Sequence, residues 1–418
     1  MRLEGRTVVV ALSGGIACYK AVELVRLLRA AGAAVRVVMT ANAQQFVTPL
    51  TLQTLSGQAV ATDTFDLTQE SEIGHIRIAD TADAIVIAPA TANVIAKLAH
   101  GIADDLLSTI MLATRAPVIL APAMNVHMWE NVATQENVRR LTERGVRIVG
   151  PAVGALACGY EGPGRLADPS EVLEAVQTAL TPQDLCGEHV LVSAGPTREA
   201  VDPVRYLSNH SSGKMGYAIA QVARRRGATV TLVTGPTALP IPFGVRAIEV
   251  QTAAEMSRAI DQAFDFATVV VMAAAVADYR PSHGAERKIK KAAATVQFEL
   301  ERTKDILAAL GRRKVRRVVV GFAAETHDVL AEARRKLLAK GADLIVANDV
   351  TMPGAGFGTD TNIVHLVDAK GAQALPLLGK NEVATHILDW VCERLRDRGA
   401  KRPVKRAAAP RARRRSRE

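Results

Sequence analysis

The sequence predicts an α/β protein of two domains, each a mostly parallel sheet with helices on both faces. Three observations carry this reading. Short apolar runs alternate with helical periodicities from Thr7 onward, and strand–helix alternation builds parallel pairs through helical crossovers. The alternation pauses at Thr181–Glu188, a proline-containing stretch poor in apolar residues, and then restarts. A length of 418 residues is long for one domain and suits two.

The elements follow in order. Thr7–Leu12 reads as a buried strand, Ser13-Gly14-Gly15-Ile16 turns, and Ala17–Ala31 is a helix with Val22, Val25 and Leu28 at helical spacing. Gly32 stops that helix and Ala34–Met39 is the second strand. Further strands are expected at Ala84–Ala88, Pro117–Leu120 and Val146–Val149. Thr181–Glu188 reads as a linker. Beyond it come a strand at His189–Ser193, a long polar loop and a helix over Met215–Arg226. Strands are expected near Thr229–Val233, Arg246–Val250, Thr268–Ala273, Arg317–Val320, Asp343–Val346 and Ile363–Val367, with Gly227 and Gly341 at helix stops. The domains are therefore 1–186 and 187–400, followed by a basic, disordered tail at 401–418. No repeat of solenoid period is visible.

Composition narrows the function. Hydrophobic content of 49% fills a core in each domain, while 4% aromatics make a base-stacking nucleic-acid platform a poor fit. Cys18, Cys158, Cys186 and Cys392 share no metal-ligand or redox spacing, so a reduced cytoplasmic protein is expected. The N-terminus has no long apolar stretch of the signal-peptide kind. No apolar run approaches the roughly 20 residues that span a bilayer. From Lys401 on, nine basic residues stand against Glu418, so the tail holds +8 of the net charge of +10 and the body is nearly neutral. The tail reads as a solvated appendage, without specific nucleic-acid binding.

Chemistry concentrates at strand ends, where open parallel sheets bind ligands. Ala121–Trp129 follows a strand and reads A-P-A-M-N-V-H-M-W. Asn125 there is either a helix cap or a polar group facing a substrate. Ser13, Gly14 and Gly15 let a phosphate approach backbone amides at a helix start, although the G-x-G-x-x-G fingerprint is absent. Thr40 and the Pro89–Asn93 turn, with Thr91 and Asn93, add polar groups on the same edge. Together these suit a phosphate-bearing cofactor. His75 lies just before an acidic helix start; it is structural or catalytic. Cys158 sits in a glycine-rich stretch, Ala157–Arg165, that reads as a mobile flap able to deliver a proton.

In the second half, Ser211-Ser212-Gly213-Lys214 imitates a P-loop but lacks the glycine at Ser208 and the Ser/Thr at Met215. The loop still suits phosphate binding. Ala273–Arg280 ends a strand in a carboxylate, Asp278. Lys288-Ile289-Lys290-Lys291 is a solvated basic face or a phosphate partner.

The set of His75, P-A-M-N-V-H-M-W and A-C-G-Y-E-G-P-G-R-L resembles the flavin-dependent cysteine decarboxylases over residues 5 to 180. The resemblance implies a Rossmann-like FMN domain and a homo-oligomer. It places Ala123 with Ser13, Gly14, Gly15, Thr40, Thr91 and Asn93 at the cofactor, and Met124 and Arg165 at the substrate. It implies that His75 assists oxidation of the substrate thiol, that Asn125 holds the carboxylate and that Cys158 returns a proton. The flap cysteine marks the branch acting on phosphopantothenoylcysteine.

Residues 187 to about 395 resemble the CTP-dependent phosphopantothenate–cysteine ligases. The motifs are S-A-G-P-T-R-E, R-Y-L-S-N-H-S-S-G-K-M-G, A-A-A-V-A-D-Y-R, K-I-K-K, G-F-A-A-E-T and A-N-D-V. The implied reaction is activation of a carboxylate as an acyl-cytidylate, with Mg²⁺ accompanying the triphosphate, and then amide formation. Asn209 would contact the acyl group and Lys288 the phosphate charge. Ala273, Ala274, Ala275, Asp278, Asp305, Phe322, Lys336 and Lys340 would line the nucleotide site. One departure stands out: where the family has Lys-Asn-Pro-Asp-Ile, this chain has Arg302-Thr303-Lys304-Asp305-Ile306. The resemblance implies a bifunctional enzyme of coenzyme A biosynthesis assembled as a dodecamer. The alternatives are a non-catalytic flavin-binding regulatory subunit, against which His75, Asn125 and Cys158 speak, and a peptidyl-cysteine decarboxylase, against which the fused ligase speaks.

Overall fold

The computed structural model describes residues 3–64, 74–157, 159–290, 296–325, 327–349, 351–352, 354, 356 and 358–400. Cys158, Lys291 and the basic tail at 401–418 lie outside the described residues. The chain divides after Gln183 into two compact units.

The first unit runs β1 (Thr7–Leu12), α1 (Cys18–Ala30), β2 (Ala34–Met39), α2 (Pro49–Ser56), α3 (Gly74–Thr81), β3 (Ala84–Ala90), α4 (Ala92–His100), α5 (Leu106–Ala113) and β4 (Val118–Pro122). It continues through α6 (Val126–Glu130), α7 (Val132–Glu143), β5 (Arg147–Ile148), β6 (Ala152–Ala155), β7 (Glu161–Arg165) and α8 (Pro169–Ala179). The sheet is parallel, in the order β2-β1-β3-β4-β5. Alternate residues of β1 explain why its run is apolar throughout. Val8, Val10 and Leu12 enter a core shared with α1 and α8, while Val9 and Ala11 enter another shared with α4 and α5. The strand order reverses between β1 and β3, the crevice where flavodoxin-like sheets bind ligands.

The second unit contains β8 (His189–Ala194), β9 (Arg198–Ala200), β10 (Tyr206–Ser208), α9 (Lys214–Arg225), β11 (Thr229–Thr234), β12 (Arg246–Glu249), α10 (Ala253–Phe264), β13 (Val269–Met272), β14 (Tyr279–Pro281) and β15 (Leu300–Arg302). Then follow α11 (Ile306–Arg313), β16 (Val318–Glu325), α12 (Val329–Lys340), β17 (Leu344–Asp349), β18 (Thr361–Asn362), β19 (Val364–Asp368), β20 (Ala372–Ala374), β21 (Leu378–Gly379) and α13 (Lys380–Ala400). The main sheet runs β12-β11-β8-β13-β16-β17-β19-β20. It is parallel as far as β17, and β19 and β20 add antiparallel. Helices α9 and α13 cover one face, α10 and α11 the other. Both units are thus Rossmann-like, and the order of the second reverses between β8 and β13.

The expected linker is shorter than Thr181–Glu188. Leu185 is fully buried in the second core. Asp184 pairs with the buried Arg226 at 2.6 Å, and Arg226 also reaches Asp389 at 2.7 Å. Burial alone would lower the Arg226 pKa; Asp184, Cys392 and Asp389 outweigh it and hold the guanidinium raised. No described helix is long and apolar enough to cross a membrane.

One backbone position is strained without packing to hold it. Val315 has φ 45° and is 83% exposed, a conformation that costs a non-glycine L residue about 1–2 kcal/mol and that asparagine visits more readily. Val315→Asn is expected to raise the unfolding free energy of the second unit by about 1 kcal/mol. Urea denaturation reads this, and an unchanged or lower midpoint would contradict it.

Candidate active sites at two strand-order reversals

A cleft of about 420 Å³ opens beside the carboxyl ends of β1, β3 and β4. It brings together Gly14, Gly15, Thr91, Ala123, Met124, Asn125 and Arg165 of the expected residues. Gly14 is required by chain crowding as well as by any ligand, because a Cβ there would lie 2.4 Å from that of Asn42.

Asn125 does both things left open by the sequence. It caps α6, with Oδ1 accepting from His127 N at 2.9 Å, and it lines the cleft. The cap fixes the amide's orientation. Its loop meets the glycine-rich stretch, in which β6 and β7 pair as an antiparallel hairpin. Met124 N donates to Gly164 O at 2.9 Å. A Cβ on Gly164 would lie 2.3 Å from Met124 O, and one on Gly162 would lie 2.9 Å from Val126 Cγ2. The Tyr160 ring lies edge-on to His127, with ring centroids 5.2 Å apart.

Other expected residues sit elsewhere. Ser13 is buried, its hydroxyl donating to Pro89 O at 2.7 Å and accepting from Thr91 N at 3.1 Å, so it braces the cleft without lining it. Thr40 Oγ1 accepts from Ala43 N at 3.2 Å, a turn-stabilising role. Asn93 is exposed in the first turn of α4, outside the cleft lining. His75 lies inside the first turn of α3, which carries no acidic residue, correcting the expected acidic helix start. Its Nδ1 is buried without a hydrogen-bond partner among the described residues, the kind of orphaned atom that a bound group satisfies. The sequence reading missed Tyr19, Lys20 and Met128 in the cleft wall. Lys20 lies one helical turn after Ile16, and that spacing was the available signal. Burial, followed by the nearby Arg165 charge, lowers the Lys20 pKa.

In the second unit the loop after β13 is tied down from several directions. Ala274 N donates to Ser193 Oγ at 3.2 Å and Ala275 N to Gly195 O at 2.9 Å. Asn209 Nδ2 donates to Val276 O at 3.0 Å. Ala273, Ala274 and Ala275 thus sit at the β8/β13 reversal, with Asp278 exposed just beyond. Phe322 is adjacent by register, because Met272 pairs with Gly321. Lys288 is exposed on a segment anchored by the buried Asp202, whose carboxylate accepts from Val204 N, Arg205 N and Ile289 N at 2.8, 2.8 and 3.1 Å. Burial would raise the Asp202 pKa; these donors and Arg205 outweigh it and leave it lowered.

Both expected α12 lysines are ion-paired. Lys336 meets Glu325 at 2.6 Å, and Lys340 meets Asp305, which also caps α11 by accepting from Ala308 N at 2.9 Å. Burial raises the Asp305 pKa less than Lys340 and the Ala308 amide lower it. Lys214 is no P-loop lysine: it donates to Gly358 O at 2.8 Å and Asp360 at 2.7 Å. The glycine roles of a nucleotide-binding turn are nonetheless present, far apart in sequence. Gly195 turns after β8 with φ 73°, and Gly216 lets α9 approach β8, since a Cβ would lie 2.9 Å from Ser193 O.

The Gly164 contact yields a direct test. Gly164→Ala is expected to cost the first unit about 1–3 kcal/mol by forcing the hairpin off the Asn125 loop. Chemical denaturation measures this, and a wild-type midpoint would show that the two segments do not need their close approach.

Comparison with known proteins agrees with this division. Residues 1–181 match the Flavoprotein family, and residues 185–395 match the DNA/pantothenate metabolism flavoprotein C-terminal domain. The coenzyme A biosynthesis bifunctional protein CoaBC of Bacillus subtilis (strain 168) is 49% identical over 394 residues, covering 93% of this chain and 97% of that one. Its Escherichia coli (strain K12) counterpart is 47% identical over 399 residues, covering 94% and 98%. The crystal structure of the C-terminal domain of a CoaBC protein matches 51% of this chain and 99% of its own, at 45% identity and a TM-score of 0.45. Near-complete coverage in both directions, with both domain matches in place, makes this chain a member of the CoaBC family of bifunctional coenzyme A biosynthesis proteins.

Proposed function

We propose that the two units catalyse consecutive steps, the second joining cysteine to 4′-phosphopantothenate and the first decarboxylating the phosphopantothenoylcysteine so formed. The two activities are those of the family, decarboxylase in the Flavoprotein domain and ligase in the C-terminal domain. The observation that carries the residue assignments is the placement of both sets of motifs at strand-order reversals, with Asn125 at the first and Asn209 tied to the loop of the second.

The first cleft fits FMN. Its base is the glycine turn before α1 and its side is Thr91 and Ala123, while His75, outside that lining, has a buried nitrogen with no hydrogen-bond partner among the described residues. Bound FMN supplies a two-electron acceptor and donor, which lets the substrate thiol reach the thioaldehyde level, where the carboxylate lies β to C=S and can leave as carbon dioxide. The chain's own residues do the rest. Asn125 holds the carboxylate by hydrogen bonds, between apolar walls at Met124 and Met128. Arg165 contributes positive charge. His75 orients or deprotonates the thiol, and Cys158 protonates the enethiolate carbon. The paired hairpin limits water.

In the second unit the 4′-phosphopantothenate carboxylate oxygen attacks the α-phosphorus of CTP, and the bond to the β-phosphate oxygen breaks, releasing pyrophosphate. The cysteine amine then attacks the acyl carbon, CMP leaves, and the amine loses a proton. Lys288 stabilises the developing phosphate charge and Asn209 positions the acyl group. Ala273–Ala275, Asp278, Asp305, Phe322, Lys336 and Lys340 shape the nucleotide site. Mg²⁺ enters with the triphosphate; among the described residues no cluster of His, Cys, Asp or Glu forms a metal cage. The working protein is a cytoplasmic homo-oligomer, a dodecamer.

Purified protein given 4′-phosphopantothenate, cysteine, CTP and Mg²⁺ is expected to yield 4′-phosphopantetheine, carbon dioxide, CMP and pyrophosphate. A protein that binds no FMN would sink the first assignment, and one that releases no pyrophosphate would sink the second. Cys158→Ser is expected to release carbon dioxide yet accumulate the unreduced enethiol; full product from that variant removes Cys158 from the proton-donor role.

A further inference from the structure

We propose that Thr303 is a positioning residue for the nucleotide loop, clamping Ala277 and Asp278 in the conformation that receives CTP. Two threonines grip the buried Ala277 from opposite sides. Thr197 Oγ1 accepts from Ala277 N at 3.0 Å, and Thr303 Oγ1 donates to Ala277 O at 2.6 Å. Thr303 N adds a donation to Asp278 O at 2.9 Å. Thr197 is itself fully buried, and its carbonyl accepts from Ser208 Oγ at 2.8 Å.

The consequence is a continuous brace. The loop after β13 has left its strand partners at Met272, so its backbone groups need other partners. Ser193, Gly195, Thr197 and Asn209 hold its first part, and Thr303 holds its exit. Thr303 lies two residues before Asp305, the cap of α11 and partner of Lys340. One short segment therefore connects Asp278 with Asp305. Arg302-Thr303-Lys304 closes that turn by the Thr303 hydroxyl.

Thr303 acts through the loop and not on a reacting atom, so its loss weakens binding of substrate and transition state alike. That raises KM and spares kcat. The inference rests on the ligase reading above. Thr303→Val keeps the shape and the backbone donor but removes the hydroxyl. In full-length protein its KM for CTP in pyrophosphate release is expected to rise roughly threefold to tenfold, with kcat within about twofold. Thr303→Ser restores the hydroxyl and is expected to return KM close to wild type. Decarboxylation of supplied phosphopantothenoylcysteine stays unchanged and reports an intact first unit. A wild-type KM in Thr303→Val overturns the inference, as does a loss confined to kcat or an equal loss in Thr303→Ser. Failure of the wild-type protein to release pyrophosphate overturns the ligase reading instead.

Discussion

A buried serine at the end of the first strand holds each unit's crevice together. At a strand-order reversal, neighbouring chains diverge to opposite faces and the backbone ladder between them ends. Polar backbone groups are then exposed to a widening gap and must find partners. In the first unit Ser13 fills this role, donating to Pro89 O and accepting from Thr91 N. In the second, Ser193 accepts from Ala274 N. The two serines share a position in their folds and a job, which is to fasten the first strand to the loop of the strand across the gap. The residues proposed for binding and catalysis sit on the loops so fastened: Thr91 with the Asn125 turn on one side, and Ala273–Asp278 with Asn209 on the other.

Rigidity in both crevices comes from close backbone approach as much as from hydrogen bonds. Gly164 lies against Met124 O, and Gly216 against Ser193 O. Neither contact tolerates a side chain, so these glycines define the width of the sites. The result is a pair of crevices whose backbone is held by close contacts, an arrangement suited to chemistry that depends on orientation.

The strands were legible because both faces of each sheet are buried, which writes a parallel strand as a continuous apolar run. Their ends were less legible for a physical reason. The runs of branched apolar residues stop before the ladder does: β16 extends past Val320 to Glu325 and β17 past Val346 to Asp349, pairing as they go. The extension of β16 carries Phe322 of the proposed nucleotide site. The Asn125 and Gly14-Gly15 motifs were readable because their positions follow from local order along the chain. The backbone hydrogen bonds of Ser13 and Thr40 were not legible, because a hydroxyl at a strand end can serve the backbone as well as a ligand and only three-dimensional proximity shows the former. The brace at Thr197 and Thr303 joins residues far apart in sequence to one alanine, and nothing in either local pattern points to it. Gly195 and Gly216 fall within separate sequence motifs, and their joint role was not legible because a long insertion separates the turn from the helix it serves.

The lysines of α12 bear on selectivity. Lys336 and Lys340 are already neutralised by Glu325 and Asp305. At the proposed nucleotide site, an arriving phosphate trades places with a carboxylate instead of condensing onto bare charge. The driving force is the difference between two pairings, and stray anions from solution gain little by competing. On that assignment the second unit works as an ion exchanger with a built-in counter-ion, selective because entry requires something worth the exchange.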